Sequence, residues 1–193
     1  VGLEGDDGFL VGDQFRNEDL INFMLVSSSN DAAWAAADFV GISKFVSLMN
    51  EKARTLGLGT TFFLNPHGLD IEREEGRISA AYGTAIEMAG LMESIFNNYS
   101  YLLEGTREDE IIIVSESGRN LRASNTNQAL GSIPQLIGAK TGFTELAGGN
   151  LVFIFDAGFS YPVIVSILGS SEEGRFQDAQ KIAQAVLKYI PGE

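Results

Sequence analysis

Two short stretches carry side chains that could act on one substrate together. In Ser27-Ser28-Ser29-Asn30, Ser28 and Asn30 stand two residues apart, directly before an alanine-rich run. In Lys140-Thr141-Gly142, a cation, a hydroxyl and a glycine follow one another. A hydroxyl and a carboxamide donate and accept hydrogen bonds. An ammonium favours nearby negative charge, and a glycine lets a ligand backbone come close. Each pattern occurs once in the chain. Taken locally, the serines and the asparagine read as helix caps, whose side-chain oxygens accept the free N–H groups of a first turn. Lys140 taken alone reads as a solvated lysine on a strand edge.

Other chemistries are excluded by composition. The chain has no cysteine, so it has no disulfide, no thiolate metal site and no cysteine nucleophile. His67 is the only histidine, so any Ser-His-Asp triad must use it and a multi-histidine metal site is impossible. In its loop His67 reads as a buried side chain holding loop carbonyls, and Glu74-Glu75 reads as a solvated charge run. No metal or organic cofactor is expected. The 13 basic residues are scattered among 26 acidic ones, a net charge of -13, without the basic clusters that nucleic-acid binding needs. No stretch is apolar for long enough to span a membrane.

The elements that must position these residues change period midway. Asn17 reads as the cap of a short helix carrying Leu20, Ile21, Phe23, Met24 and Leu25. A second helix is expected from about 31 to 40, stopped by Gly41, and a third, capped by Ser43, carries Phe45, Val46, Met49, Ala53 and Leu56. "TTFFLNPHGLD" reads as a loop, Ser79 as the cap of a helix with Ile86, Ala89, Met92 and Ile95 on one face, and "NNYSYLLEG" as a short helical turn. Beyond it, "EIIIVSESGRNLRASN" reads as a hairpin turning at 116–118, and "PQLIGAKTGF" as a strand. "GNLVFIFDAGFSYPVIVSILGS" reads as an antiparallel hairpin with a buried face. A final helix places Phe176, Ala179, Ile182, Ala183, Val186 and Ile190 on one side, and Trp34 and the phenylalanines read as core. The expected fold is α+β: a helical subdomain over about 15–105, then an antiparallel sheet covered by a C-terminal helix over about 106–190. The two make one domain across 1–193, with a cleft between the parts.

The pairing of Ser-x-Asn with Lys-Thr-Gly resembles the penicillin-binding proteins and class A β-lactamases. "SSSNDAAWAAADFVG", "FVSLMNEKARTLGL", "NPHGLD", "SNTNQAL", "GAKTGFTELAGGNL" and "SSEEGRFQDAQKI" together resemble, in order, the low-molecular-mass D-alanyl-D-alanine carboxypeptidases. The resemblance implies a β-lactamase/transpeptidase-like fold and a serine acyl-enzyme that removes the terminal D-Ala of peptidoglycan stem peptides, with β-lactams as inhibitors. It implies that Ser28 helps relay a proton to the leaving amine and that Asn30 holds the substrate's amide. Lys140 supplies positive potential beside Ser28, and Thr141 holds the terminal carboxylate. Gly142 gives the ligand room, and the Phe143 N–H is half of the oxyanion hole. Arg175 reads equally as a contact to that carboxylate and as a surface arginine at a helix start.

One element of that family's pattern is not found. Its nucleophilic serine precedes a lysine by three, and the residues three before Lys44, Lys52, Lys140, Lys181 and Lys188 are Gly41, Met49, Ile137, Asp178 and Ala185. In the family, that serine and two sheet strands lie upstream of the matched region. The expectation is therefore a chain that lacks its nucleophile and is inactive alone, with two vacant sheet positions and an open edge. The family places the activity outside the cytoplasmic membrane, with an export signal upstream and, in some members, a membrane anchor downstream. Two alternatives remain: a β-lactamase or endopeptidase on the same scaffold, and a non-catalytic relative that binds peptidoglycan stems or a partner.

Overall fold

Leu20, Phe23 and Met24 recur at helical spacing and pack along one side of α1 (Asn17–Ser27) in the computed structural model, which describes residues 7–190. Arg16 rather than Asn17 occupies the cap position of α1 and makes no side-chain cap bond. Helix α2 (Asn30–Val40) follows after a two-residue break, and Gly41, at φ 96°, turns the chain into α3 (Ile42–Thr55). A left-handed φ suits glycine, which has no Cβ to clash. Ser43 is therefore the second residue of α3 and not its cap.

The loop after α3 holds four short strands. β1 (Phe62–Phe63) pairs with β4 (Ala81–Tyr82), and β2 (Ile71–Arg73) pairs with β3 (Gly76–Ile78). Ser79 lies in this segment, where its hydroxyl donates to the Ala81 carbonyl. It does not start a helix: α4 (Ala85–Tyr99) begins six residues later behind Thr84, whose side chain accepts the Glu87 N–H while Glu87 reaches back to the Thr84 N–H. That reciprocal pair is a capping box, a stronger start signal than a lone serine. With the start moved, Met92 is buried and Ile86 is 81% exposed. A 3-10 segment (Ser100–Arg107) carries the chain onward.

β5 (Glu110–Val114) and β6 (Asn120–Ser124) form the hairpin expected around 116–118. It stays outside the main sheet and packs Ile113, Leu121 and Ala123 against Phe23 and Val26 of α1. The main sheet is antiparallel, in the order β7 (Leu136–Thr144), β8 (Gly148–Asp156), β9 (Pro162–Ser170). One face packs Phe153, Phe155, Val165 and Ile167 against Phe176, Ala179 and Ala183 of α5 (Gly174–Tyr189). The other packs Ile154 against Met92 and Leu103. A strand covered on both faces needs apolar residues at successive positions, and β8 has them in Leu151, Phe153, Ile154 and Phe155. Trp34, at 39% exposed, is not core, and Ile182, at 37%, lies off the buried face of α5. The α+β architecture is as expected; the helical block meets the sheet through α4 and the 3-10 segment, and Lys140 of β7 reaches Ser28 at the end of α1.

Candidate functional site

Three successive serines do three different things where α1 gives way to α2. The Ser27 hydroxyl donates back to the Phe23 carbonyl at 2.9 Å, inside α1. Ser29 is the cap of α2: its Oγ accepts the Ala32 N–H at 3.0 Å and donates to Asp7 at 2.5 Å. Ser28 lies between them in the left-handed region, φ 58° and ψ 35°. A non-glycine residue there is held against a local steric preference, a feature that clusters at functional sites. Asn30, half-buried, is the first residue of α2.

Lys140 reaches this break from the middle of β7. Its Nζ donates to Ser28 Oγ at 2.6 Å and to the Thr141 carbonyl at 2.8 Å. Burial, and secondly the positive charge of Arg175, push the Lys140 ammonium down from 10.5 to about 8. A lysine so placed releases a proton near neutral pH far more readily than one in water.

The neighbouring residues of β7 face differently. The Ala139 N–H leaves the sheet to reach Thr106 Oγ1 at 3.1 Å. Backbone groups alternate along a strand, so the N–H groups of Thr141 and Phe143 also point away from β8. The Thr141 hydroxyl is 2.6 Å from that of Thr126. Thr126 sits between Asn125, which donates to the carbonyls of Thr106 and Glu108, and Asn127, which accepts the Ala129 N–H. Those asparagines brace the segment. Thr126 itself was not singled out in the sequence, and its place beside Thr141 had no local signal beyond the polar run around it. Gly142 has room around it, since a Cβ there would lie 3.7 Å from that of Asn150, an ordinary contact.

Arg175 is not a surface arginine. It is 6% exposed at the start of α5, and its Nη1 donates to the Gly142 carbonyl at 2.6 Å. Its guanidinium lies 4.6 Å from the Phe176 ring centroid and 5.9 Å from that of Phe143. Its Nε is buried with no hydrogen-bond partner, and burial lowers its pKa. Among the described residues, neither Lys140 nor Arg175 forms an ion pair. Two cations therefore flank β7 with only neutral oxygens bonded to them, an arrangement that favours an anion from outside.

Behind Ser28 and Lys140 lies an apolar cavity of about 360 Å³, walled by residues such as Met24, Leu25, Met88, Leu91, Met92 and Ile95. His67 also lines it. The ring accepts the Leu69 N–H at Nδ1, 3.2 Å away, instead of donating to carbonyls, and burial lowers its pKa. An accepting Nδ1 puts the proton of the neutral ring on Nε2.

The family described as D-alanyl-D-alanine carboxypeptidase matches residues 5–172. The D-alanyl-D-alanine carboxypeptidase DacF of Bacillus subtilis is 33% identical over 147 residues, which cover 75% of this chain and 36% of that protein. DacC of Escherichia coli is 32% identical over 177 residues, 89% of this chain and 40% of that protein. The chain thus spans about two-fifths of the length of these relatives. Among solved structures, penicillin-binding protein D2 of Listeria monocytogenes, in its ampicillin-bound form, superposes with a TM-score of 0.79 at 29% identity. That match covers 96% of this chain and 74% of the other. A mutant of the Streptomyces K15 DD-transpeptidase gives 0.78 at 26% identity, covering 94% of this chain and 72% of the other. The fold is that of the penicillin-binding proteins and DD-transpeptidases.

Proposed function

The chain belongs to the D-alanyl-D-alanine carboxypeptidase family, and from that premise we propose that it supplies the proton-handling and carboxylate-binding side of a site that removes the terminal D-Ala from peptidoglycan stem peptides. The observation that carries this is the 2.6 Å contact between Lys140 Nζ and Ser28 Oγ, with Thr141 next along the same strand and Arg175 of α5 bonded to the Gly142 carbonyl of that strand. Ser28 Oγ accepts from Lys140, so its own proton is directed elsewhere. When the peptide C–N bond breaks, Ser28 gives that proton to the leaving amine and takes one from Lys140. The Thr141 hydroxyl and the Arg175 guanidinium hold the substrate's terminal carboxylate, Asn30 holds its amide, and the Phe143 N–H stabilises the developing oxyanion. Gly142 leaves room for the peptide to lie along β7. β-Lactams, which the solved relative D2 binds, occupy the same place. The reaction takes place outside the cytoplasmic membrane, where peptidoglycan is.

These residues bind and move protons, but none is an activated nucleophile. No lysine follows a serine by three in the sequence, and a serine hydroxyl needs a neighbouring base to attack a carbonyl. We infer that these 193 residues form no acyl-enzyme alone. The test is incubation with fluorescent penicillin followed by intact mass, on this chain and on any longer product of the gene that encodes it. One covalent adduct on the longer protein only is the expected result. An adduct on this chain alone overturns the inactivity. No adduct on either overturns the carboxypeptidase reading and favours a non-catalytic binder of stem peptides. Release of D-Ala from a D-Ala-D-Ala peptide, set against hydrolysis of a β-lactam, separates a carboxypeptidase from a β-lactamase.

A further inference from the structure

The substrate edge of β7 is open along only part of its length. Among the described residues no strand pairs with it. Its outward N–H groups belong to Ala139, Thr141 and Phe143, at every second residue. With the oxyanion at the Phe143 N–H and the terminal carboxylate at the Thr141 hydroxyl, the substrate chain runs along this edge and its C-terminus points from Phe143 toward Ala139.

That end is filled. The Ala139 N–H donates to Thr106 Oγ1 at 3.1 Å, and the same hydroxyl gives its only proton to the Leu103 carbonyl at 2.6 Å. The Thr106 carbonyl accepts from Asn125 Nδ2 at 3.0 Å. Thr106 is 2% exposed and, with its proton committed, offers no donor to a ligand. The 3-10 segment that carries it lies directly on β7: a Cβ on Gly138 would stand 2.7 Å from that of Leu103, a clash that glycine avoids. From another side Thr126, held by its N–H on the Val26 carbonyl at 3.2 Å, sets its hydroxyl 2.6 Å from that of Thr141. Successive outward groups stand about 7 Å apart along a strand, the length of two residues. A chain that continues two residues past a carboxylate at Thr141 must therefore displace Thr106 from the Ala139 N–H, and its own peptide groups meet no free donor there.

We propose, resting on the carboxylate site assigned above, that Thr106 and Thr126 are specificity-determining residues: they close the C-terminal end of the substrate groove, so the site takes the end of a peptide and excludes an internal stretch. Selectivity then comes from a barrier against the longer chain as much as from contacts to the shorter one. This barrier separates release of a terminal D-Ala from cleavage within a longer chain.

The test passes the 193-residue chain over surfaces that carry one D-Ala-D-Ala peptide in three forms, read by surface plasmon resonance. The first is attached by its N-terminus and ends in a free carboxylate. The second is attached in the same way and ends in an amide. The third is attached through a Gly-Gly linker at its C-terminus, so the chain runs on past the second D-Ala in every register. Affinity is expected to fall in that order, by about fivefold or more between the second and third forms. Thr106→Ala frees the Ala139 N–H and is expected to tighten the third form about threefold or more against the second, whereas Thr106→Ser keeps the hydroxyl and the parent ratio. Thr126→Ala opens the other side, is expected to move the ratio the same way, and keeps the test valid if Thr106→Ala does not fold. A loss of stability alone lowers every affinity and leaves the ratio where it was. Equal affinity for the second and third forms, or a ratio that neither alanine variant moves, overturns the barrier and leaves the carboxylate site standing. A first form that binds no better than the second overturns the carboxylate site and the barrier with it.

Discussion

Lys140→Met should raise stability at neutral pH and lose that advantage in alkali. Lys140 is charged in a setting that does little to keep it so: burial and Arg175 lower it from 10.5 to about 8. Its two acceptors, Ser28 Oγ and the Thr141 carbonyl, are neutral. Between pH 8 and 10.5 the unfolded chain holds a proton that the folded chain has released, so stability rises with pH across that window. At about 1.4 kcal/mol per pK unit, the penalty is at most about 3 kcal/mol, complete below pH 8 and gone above 10.5. Methionine keeps the length of the side chain and suits the apolar wall beside it. The stability difference between Lys140→Met and the parent chain should therefore shift against the variant, by up to about 3 kcal/mol, between pH 7 and 11. Urea unfolding at intervals across that range, followed by the fluorescence of Trp34, measures it, and the difference cancels the other groups that titrate in alkali. A difference that stays flat within about 1 kcal/mol, or that moves toward the variant as pH rises, refutes the reasoning.

Ala33→Leu extends an apolar side chain into the cavity of about 360 Å³ and should stabilise by up to about 2 kcal/mol, at roughly 0.8 kcal/mol per added methylene; a lower urea midpoint would count against it. Gly149→Ala should cost roughly 3 kcal/mol or more, since its Cβ would lie 2.2 Å from the Ser171 carbonyl oxygen. Gly142→Ala, with only an ordinary contact to Asn150, should stay within about 1 kcal/mol, so thermal unfolding of the two variants tells a packing glycine from one left open for a ligand. Thr84→Ala should cost about 1 kcal/mol by removing the cap of α4. In the same variant the Glu87 carboxyl, held at about 2 first by Thr60 and then by Thr84, should titrate higher in an NMR titration without reaching 4.5.

The sequence made the site legible where chemistry and periodicity agreed, and obscured it where local rules had two solutions. Lys140-Thr141-Gly142 could be placed on a strand because apolar residues flank it, and β7 is that strand. The serine run was ambiguous because capping and catalysis call for the same residue type. The geometry separates the serines: Ser29 caps α2 and Ser28 accepts from Lys140. Ser43 and Ser79 read as caps on residue type alone. Gly41 and the Thr84–Glu87 box hold those places, because a left-handed turn and a reciprocal pair specify a helix start more strongly than one hydroxyl. The exposure of Trp34 and Ile86 was hidden because periodicity assigns a face to a helix but not the neighbour that covers it. Arg175 kept two readings because only the tertiary contact with the Gly142 carbonyl decides between them.

The buried cations also fix how the site should answer to pH. An anion bound between Thr141 and Arg175 lies close to Lys140 and favours its protonated form, reversing part of what burial takes away. Binding and protonation are then linked: a carboxylate ligand raises the Lys140 pKa, and deprotonation of Lys140 weakens the ligand. Below about 8 the lysine is already charged and affinity should be level. Above it, affinity should fall by up to tenfold per pH unit, until the pKa of the bound state is reached. Fluorescence anisotropy with a labelled acyl-D-Ala-D-Ala peptide, from pH 6 to 10, measures this on the chain alone, since it needs no nucleophile. Lys140→Met should flatten the profile, and Thr141→Val should lower affinity at every pH without moving the break. A parent profile with no break near pH 8 would mean that the carboxylate does not sense Lys140 and binds elsewhere.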